Sequence, residues 1–277
     1  MRGHSLALRK GGAAIGLVPT MGALHDGHLS LLKIAAQYCD HTIMSIFVNP
    51  AQFGPAEDFD RYPRQVEKDC ALAEAAGCDC VFIPSADDMY PVGYSTYVDV
   101  EGGLTGALCG ASRPGHFRGV ATVVLKLFNV AAPDIAVFGS KDAQQVVVIK
   151  RMADDLNLPV RIIAAPTVRE PDGLAMSSRN AYLSAPERAE APLIYRGLTE
   201  AKKMYDSGGR DAGAVRDHVV LILSGARLVK PEYIEIVDAK SLKPVDKLEG
   251  TVLIAVACRT SETGTRLIDN IVLGGSL

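Results

Sequence analysis

Two histidines three residues apart, in Pro19-Thr20-Met21-Gly22-Ala23-Leu24-His25-Asp26-Gly27-His28, are the residues best equipped for chemistry. An imidazole can donate a hydrogen bond, accept one, or carry a proton near neutral pH. The pair follows the apolar run Ala14-Ile15-Gly16-Leu17-Val18 and precedes an apolar-periodic stretch that begins at Leu29. That order reads as strand, glycine-containing turn, helix. A helix start offers unpaired backbone N–H groups and the positive end of the dipole, so H-x-G-H at this point suits a nucleotide phosphate.

Four other segments carry comparable chemistry. Lys141-Asp142-Ala143-Gln144-Gln145 opens a helix after the apolar run Ile135–Phe138. Lys141 and Gln145 stand at i and i+4 and share one face of its first turn. A lysine there meets phosphate oxygens as a compact charge, while Asp142 suits either a ligand or a helix cap. Met176-Ser177-Ser178-Arg179-Asn180 offers two hydroxyls and a guanidinium, enough for several phosphate oxygens. The same run also reads as a polar turn capping a helix at Pro186. Asn49-Pro50-Ala51-Gln52-Phe53-Gly54 places an amide beyond a strand. Gln52 and Gln145 can each donate and accept, so the two can fix a small hydroxy acid without adding charge. Ser112-Arg113-Pro114-Gly115-His116-Phe117-Arg118-Gly119 reads as an anion-contacting loop or as a solvated basic turn.

These segments need elements to position them. Apolar runs at Ile15–Val18, Thr42–Val48, Val81–Ile83, Ile135–Phe138 and Val160–Ala164 read as strands. Helical patterns alternate with them at Leu29–Tyr38, Val66–Ala76, Thr122–Val130 and Asp142–Leu156. Strands and helices alternating at this spacing predict an α/β fold, a Rossmann-like doubly wound parallel sheet. Ligands of such sheets bind beyond the carboxyl ends of the strands, which is where Pro19–His28, Asn49–Gly54 and Gly139–Gln145 fall. After Thr167 the texture changes. Arg169–Gly173 reads as a turn, Pro186–Tyr205 and Ala212–Leu223 as helices, and Tyr233–Val237, Val252–Ala257 and Leu267–Leu273 as strands. The reading is therefore a catalytic domain over residues 1–167 and a smaller α+β domain over 168–277.

Composition narrows the function classes. The chain has 277 residues, 48% of them hydrophobic, and a net charge of -3. This is enough for a substantial core. The slightly acidic balance, with a pI of about 6.1, argues against a nucleic-acid partner. No apolar run approaches the ~20 residues of a membrane span. Met1–His4 has no long apolar stretch, so a cytoplasmic location is expected. The six cysteines, Cys39, Cys70, Cys78, Cys80, Cys109 and Cys258, mostly sit beside apolar residues. They lack paired zinc-ligand spacing and read as reduced thiols acting as small hydrophobes.

Together, PTMGALHDGH, NPAQFG, EDFDRYPR, SRPGHFRGVATVV, FGSKDAQQ and LAMSSRNAYL closely resemble the pantothenate synthetase (pantoate–β-alanine ligase) family. They span Ile15 to about Leu183 in the family's order; the last third of the chain carries weaker signatures. The family belongs to the H-x-G-H nucleotidyltransferases, whose second signature loop corresponds to Met176–Arg179. The resemblance implies that ATP, (R)-pantoate and β-alanine give pantothenate, AMP and pyrophosphate, with magnesium, through a pantoyl adenylate. It implies ATP contacts at Met21, Gly22, Ala23, Leu24, His25, Asp26, Gly27, His28, Gly139, Ser140, Lys141, Asp142, Val168, Met176, Ser177, Ser178 and Arg179. His28, His25 and Lys141 would act on charge developing at the phosphates, and Asp142 would meet the ribose. Ser177, Ser178 and Arg179 would grip the β,γ-phosphates. Gln52 and Gln145 would hold pantoate, and Asp69 would be the magnesium-side carboxylate. A mixed anhydride is destroyed by water, so the C-terminal domain would act as a lid. The family is typically homodimeric.

Two features depart from the family's pattern. Position 140 is serine where the family usually has Glu or Gln, and Met1–Lys10 is shorter than the usual helix before the first strand. Two other functions compete with the ligase. One is a nucleotidyltransferase that leaves the adenylyl group on its product, against which the Gln52 and Gln145 pair argues. The other is a nucleotide-binding regulator without turnover, against which both histidines, Lys141 and Ser177-Ser178-Arg179 argue.

Overall fold

The computed structural model describes residues 1–55 and 57–277. In chain order the elements are α1 (Arg2–Lys10), β1 (Ile15–Thr20), α2 (Asp26–Ala35), β2 (His41–Ile46), α3 (Val66–Ala75), β3 (Cys80–Phe82), α4 (Ala86–Met89), α5 (Gly103–Gly106), α6 (Leu108–Ser112), α7 (His116–Ala131), β4 (Ile135–Gly139), α8 (Ala143–Asp155), β5 (Arg161–Ala165), α9 (Ala185–Glu190), α10 (Leu193–Asp206), α11 (Ala212–Ser224), β6 (Val229–Asp238), β7 (Val252–Thr260) and β8 (Arg266–Leu273). Short 3-10 turns cover Pro50–Gln52, Ser140–Asp142 and Ser178–Tyr182. The chain packs as two compact units. One takes Met1–Glu101, Ser112–Ser140 and Val148–Pro166, the other Gly102–Ala111, Lys141–Val147 and Thr167–Leu277.

The first unit is built on a five-stranded sheet in the order β3-β2-β1-β4-β5 with every pairing parallel. Strands covered on both faces need continuous apolar runs rather than alternation. Ile15, Leu17 and Val18 in β1 and Ile43 and Met44 in β2 are fully buried. The expected doubly wound sheet is therefore present. Strand order reverses between β1 and β4, and the crevice at such a reversal is where ligands of these sheets bind. Helix α1 packs on α7 and β1. Arg9 at its end pairs with Asp134 at 2.6 Å, and the second Asp134 oxygen accepts the Ile15 N–H at the start of β1.

The second unit contains an antiparallel sheet, β6-β7-β8, with α10 and α11 against it. Its core joins Ile194, Leu198, Val219 and Leu223 to Ile254, Val256 and Leu267. β6 is an edge strand, which accommodates Pro231 and a register shift before Tyr233.

Two elements differ from the sequence reading for identifiable reasons. α7 starts at His116, not Thr122, because Gly119 serves close packing rather than a turn. The helical stretch Pro186–Tyr205 divides into α9 and α10 at Pro192, which cannot supply an N–H to continue α9. All six cysteines are free thiols. Among the described residues no helix is long and apolar enough to cross a membrane.

Candidate active site

β1 ends at Thr20 and the chain turns through Gly22 and Ala23, at φ of 82° and 50°. The positive φ at Ala23 is held from outside the loop. Ala23 and Leu24 donate their N–H groups to the two oxygens of Asp69, at 2.9 and 2.8 Å. Asp69 sits on α3 and is 1% exposed. A Cβ on Gly22 would lie 2.9 Å from an Asp69 oxygen, so glycine is required there on both conformation and space. Thr20 completes the clamp: its hydroxyl accepts from Gly22 N–H and donates to the Ser45 carbonyl of β2.

His25 is the N-cap of α2 and His28 its third residue. The two form a capping box in which imidazoles replace the usual Ser/Thr and Glu. Gly27 N–H donates to His25 Nδ1 at 3.1 Å, and His25 N–H donates to His28 Nδ1 at 3.4 Å. A backbone N–H can only donate, so each Nδ1 accepts and each neutral ring carries its proton on Nε2. The rings lie 4.1 Å apart, tilted by 38°. The result is two Nε2–H groups fixed at a helix N-terminus, a set of donors suited to an oxyanion. Asp26, the first helical residue, is exposed.

Beyond β2 the chain forms the Pro50–Gln52 turn, capped by Asn49. Asn49 is 1% exposed and fully engaged. Its oxygen accepts from Ala51 N–H and the Tyr90 hydroxyl, and its amide donates to Gln52 Oε1 and the Gly119 carbonyl. Burial pushes the Tyr90 phenol far above its ordinary range, which keeps it a neutral donor. Gln52 Nε2 in turn lies 3.1 Å from Met21 Sδ in the β1–α2 loop. Sequence reasoning had no signal for Asn49 beyond its place before a proline. A cavity of about 250 Å³ opens at this edge of the sheet, walled by Met21, Ile46, Phe47, Arg64, Asp69 and Pro84 among others. Gly139 ends β4, and Ser140 follows it, on the same edge of the parallel sheet.

The remaining candidates lie in the second unit. Lys141 Nζ is 3.9 Å from Asp142 Oδ2, and the Lys141 carbonyl accepts from Asn270 Nδ2 of β8 at 2.8 Å. Asn270 carried no signal in the sequence. Its neighbour Asp269 is buried and held by Arg169 through both terminal guanidinium nitrogens. Burial lifts the Asp269 carboxyl above its ordinary range, against the pull of Arg169. The two adjacent glutamines separate by role. Gln144 is buried, donating to the Leu104 and Ala107 carbonyls and accepting from Cys109 N–H, whereas Gln145 stays half-buried.

Arg169–Gly173 is a hairpin turn, as expected, and it sets Val168 opposite Met176, whose N–H donates to the Val168 carbonyl at 3.0 Å. Ser177 caps the following 3-10 turn by accepting from Arg179 N–H. The helix that follows has its own cap in Ser184, so Met176–Asn180 is not its capping turn. Within Ser112–Gly119, Arg113 is not a solvated cation, because it grips Glu57 through Nε and a terminal nitrogen, both at 2.6 Å, whereas Arg118 is exposed.

Comparison with known proteins bears on the whole arrangement. The family model described as pantoate-beta-alanine ligase matches residues 1–272. The pantothenate synthetase of Acetivibrio thermocellus is 55% identical over 262 residues, covering 95% of this chain and 92% of that protein. That of Moorella thermoacetica is 55% identical over 273 residues, covering 99% and 95%. The crystal structure of pantothenate synthetase from Thermus thermophilus superposes with a TM-score of 0.91 at 44% identity, over 96% of both chains. A pantoate-beta-alanine ligase from Francisella tularensis, complexed with beta-gamma ATP and beta-alanine, gives 0.78 at 33% identity, over 99% of this chain and 96% of that one.

Proposed function

The chain belongs to the pantoate-beta-alanine ligase family, and on that premise we propose how its residues divide the work. It is an ATP-dependent ligase that joins (R)-pantoate to β-alanine and yields pantothenate, AMP and pyrophosphate. In the first step a pantoate carboxylate oxygen bonds to the α-phosphorus of ATP, and the bond to pyrophosphate breaks with its electron pair. In the second, the β-alanine amine bonds to the acyl carbon of the pantoyl adenylate. AMP leaves with the former carboxylate oxygen, and the nitrogen loses a proton.

The observation that carries this reading is the reciprocal cap of His25 and His28. It fixes both Nε2–H donors at the N-terminus of α2. Pre-positioned donors at developing charge are worth roughly 3–4 kcal/mol each in comparable sites. His28 takes the larger share at the α-phosphate and His25 assists. Met21–Leu24, Asp26, Gly27, Gly139, Ser140, Val168 and Met176 line the nucleotide, Asp142 meets its ribose and Lys141 its phosphates. Ser177, Ser178 and Arg179 grip the β,γ-phosphates. Gln52 and Gln145 hold pantoate through neutral amides, which leaves its carboxylate nucleophilic.

Among the described residues no three His, Cys, Asp or Glu side chains gather as a metal cage. Asp69 is buried, with both oxygens on backbone amides. Each oxygen that takes one N–H keeps a second acceptor position, so Asp69 remains the proposed magnesium-side carboxylate, with the ion accompanying the triphosphate as its counter-ion. The chain is further proposed to act as a cytoplasmic homodimer, on the family resemblance alone; light scattering in solution tests the dimer. The activity itself is tested by mixing ATP, pantoate and β-alanine: AMP should appear one-for-one with pantothenate. Equal AMP release with pantoate omitted would contradict the assignment.

A further inference from the structure

The charged segment Ser112–Gly119 has no role in the reaction as assigned, yet its side chains converge on one backbone group. The Gln52 carbonyl accepts from His116 Nδ1 at 2.8 Å and from an Arg113 terminal nitrogen at 3.3 Å. Arg113 also donates to His116 Nε2 at 3.0 Å. A guanidinium cannot accept, so His116 Nε2 accepts and its proton sits on Nδ1, aimed at Gln52. Glu57 fixes the far side of Arg113 bidentately. Burial works against the charge on Glu57, but the Arg113 guanidinium outweighs it and holds the carboxyl below its ordinary range.

Helix geometry adds a second contact to the same turn. His116 and Gly119 are i and i+3 on α7 and share a face. A Cβ on Gly119 would lie 2.1 Å from the Ala51 carbonyl oxygen and 2.7 Å from Gln52 N. The Gly119 carbonyl also accepts from Asn49, whose same amide donates to the Gln52 side chain. Main chain and side chain of Gln52 are thus both referred to the first turn of α7.

We propose that Arg113, His116 and Gly119 are positioning residues for pantoate, fixing the Gln52 backbone so that its amide side chain meets the acid in one orientation. This rests on the assignment of Gln52 to pantoate, and the test separates the two. Steady-state kinetics are measured for the wild type, Gln52→Ala, His116→Ala, His116→Asn and Glu57→Gln. Loss of an oriented hydrogen bond predicts a KM for pantoate raised about tenfold in His116→Ala, with the KM for ATP essentially unchanged. His116→Asn should recover most of that loss, since its amide can place an N–H where Nδ1–H was. If Gln52→Ala leaves the pantoate KM unchanged, the assignment of Gln52 fails. If Gln52→Ala raises it and His116→Ala does not, the positioning role fails alone. Should His116→Ala not fold, Glu57→Gln loosens Arg113 with the imidazole in place, and an unchanged pantoate KM there overturns the proposal. A rise in the ATP KM alone would return the segment to anion contact.

Discussion

The proposed assignment gives the histidine pair two tasks, one for each ring nitrogen. Nδ1 of each ring holds the start of α2, and Nε2–H is assigned to the phosphate. Substitutions that mimic one nitrogen should therefore have different outcomes. His28→Asn keeps an acceptor near the Nδ1 position and should fold like the wild type, yet lose pantoate-dependent pyrophosphate exchange by at least a hundredfold. Wild-type-like exchange in that variant would remove His28 from the chemistry. Asp69 makes a different prediction. Asn at that position turns one acceptor into an N–H that faces a backbone N–H, which costs about 2 kcal/mol. The expected Tm loss is roughly 4–8 °C, accompanied by a raised KM for ATP because the β1–α2 loop loses its anchor. An unchanged Tm would show that the two backbone bonds to Asp69 do not hold the loop.

At the scale of elements, α9 shows how a capping residue ties a helix to a distant turn. Glu187 closes the capping box with Ser184 and accepts from Glu262 N–H, Thr263 N–H and the Thr263 hydroxyl. Burial alone would raise its carboxyl. Those donors outweigh burial and hold it at about 2, against an ordinary 4.5. A folded value below the unfolded one stabilises fully above the unfolded value and fades as pH falls from about 4.5 toward 2. Melting curves between about pH 5 and pH 3 should show a larger Tm loss for the wild type than for Glu187→Gln; equal losses would refute this contribution. The same scale explains what was legible in the sequence. β1, β2 and β4 were, because burial on both faces demands unbroken apolar runs. The start of α7 was not, because His116-Phe117-Arg118-Gly119 has the composition of a turn while Gly119 is there to let Ala51 approach. The place of His25 and His28 at the start of α2 followed from the strand-turn-helix order. Their mutual cap did not, since imidazoles replace the residues that mark a capping box. The Asp69 clamp was also hidden: its partners are backbone N–H groups 46 and 45 positions away, which leave no trace in side-chain chemistry. Gln52 and Gln145 entered as pantoate residues through family resemblance, with their amide chemistry as support.

For the whole molecule the question is which atoms are joined. An amide does not form spontaneously from a carboxylate and an amine in water, so the acid must be activated and ATP cleavage must drive the step. The mildly acidic net charge suits a catalyst of small metabolites rather than a nucleic-acid binder. The family model matches residues 1–272, so the family's activity is expected of this chain. The pantoate carboxylate, not water and not the amine, is the proposed attacker at the α-phosphorus. Pantoate labelled with heavy oxygen in its carboxylate tests this directly when turned over with ATP and β-alanine. AMP should carry a single heavy oxygen and form one-for-one with pantothenate. Unlabelled AMP, or AMP released at the same rate without pantoate, would contradict it.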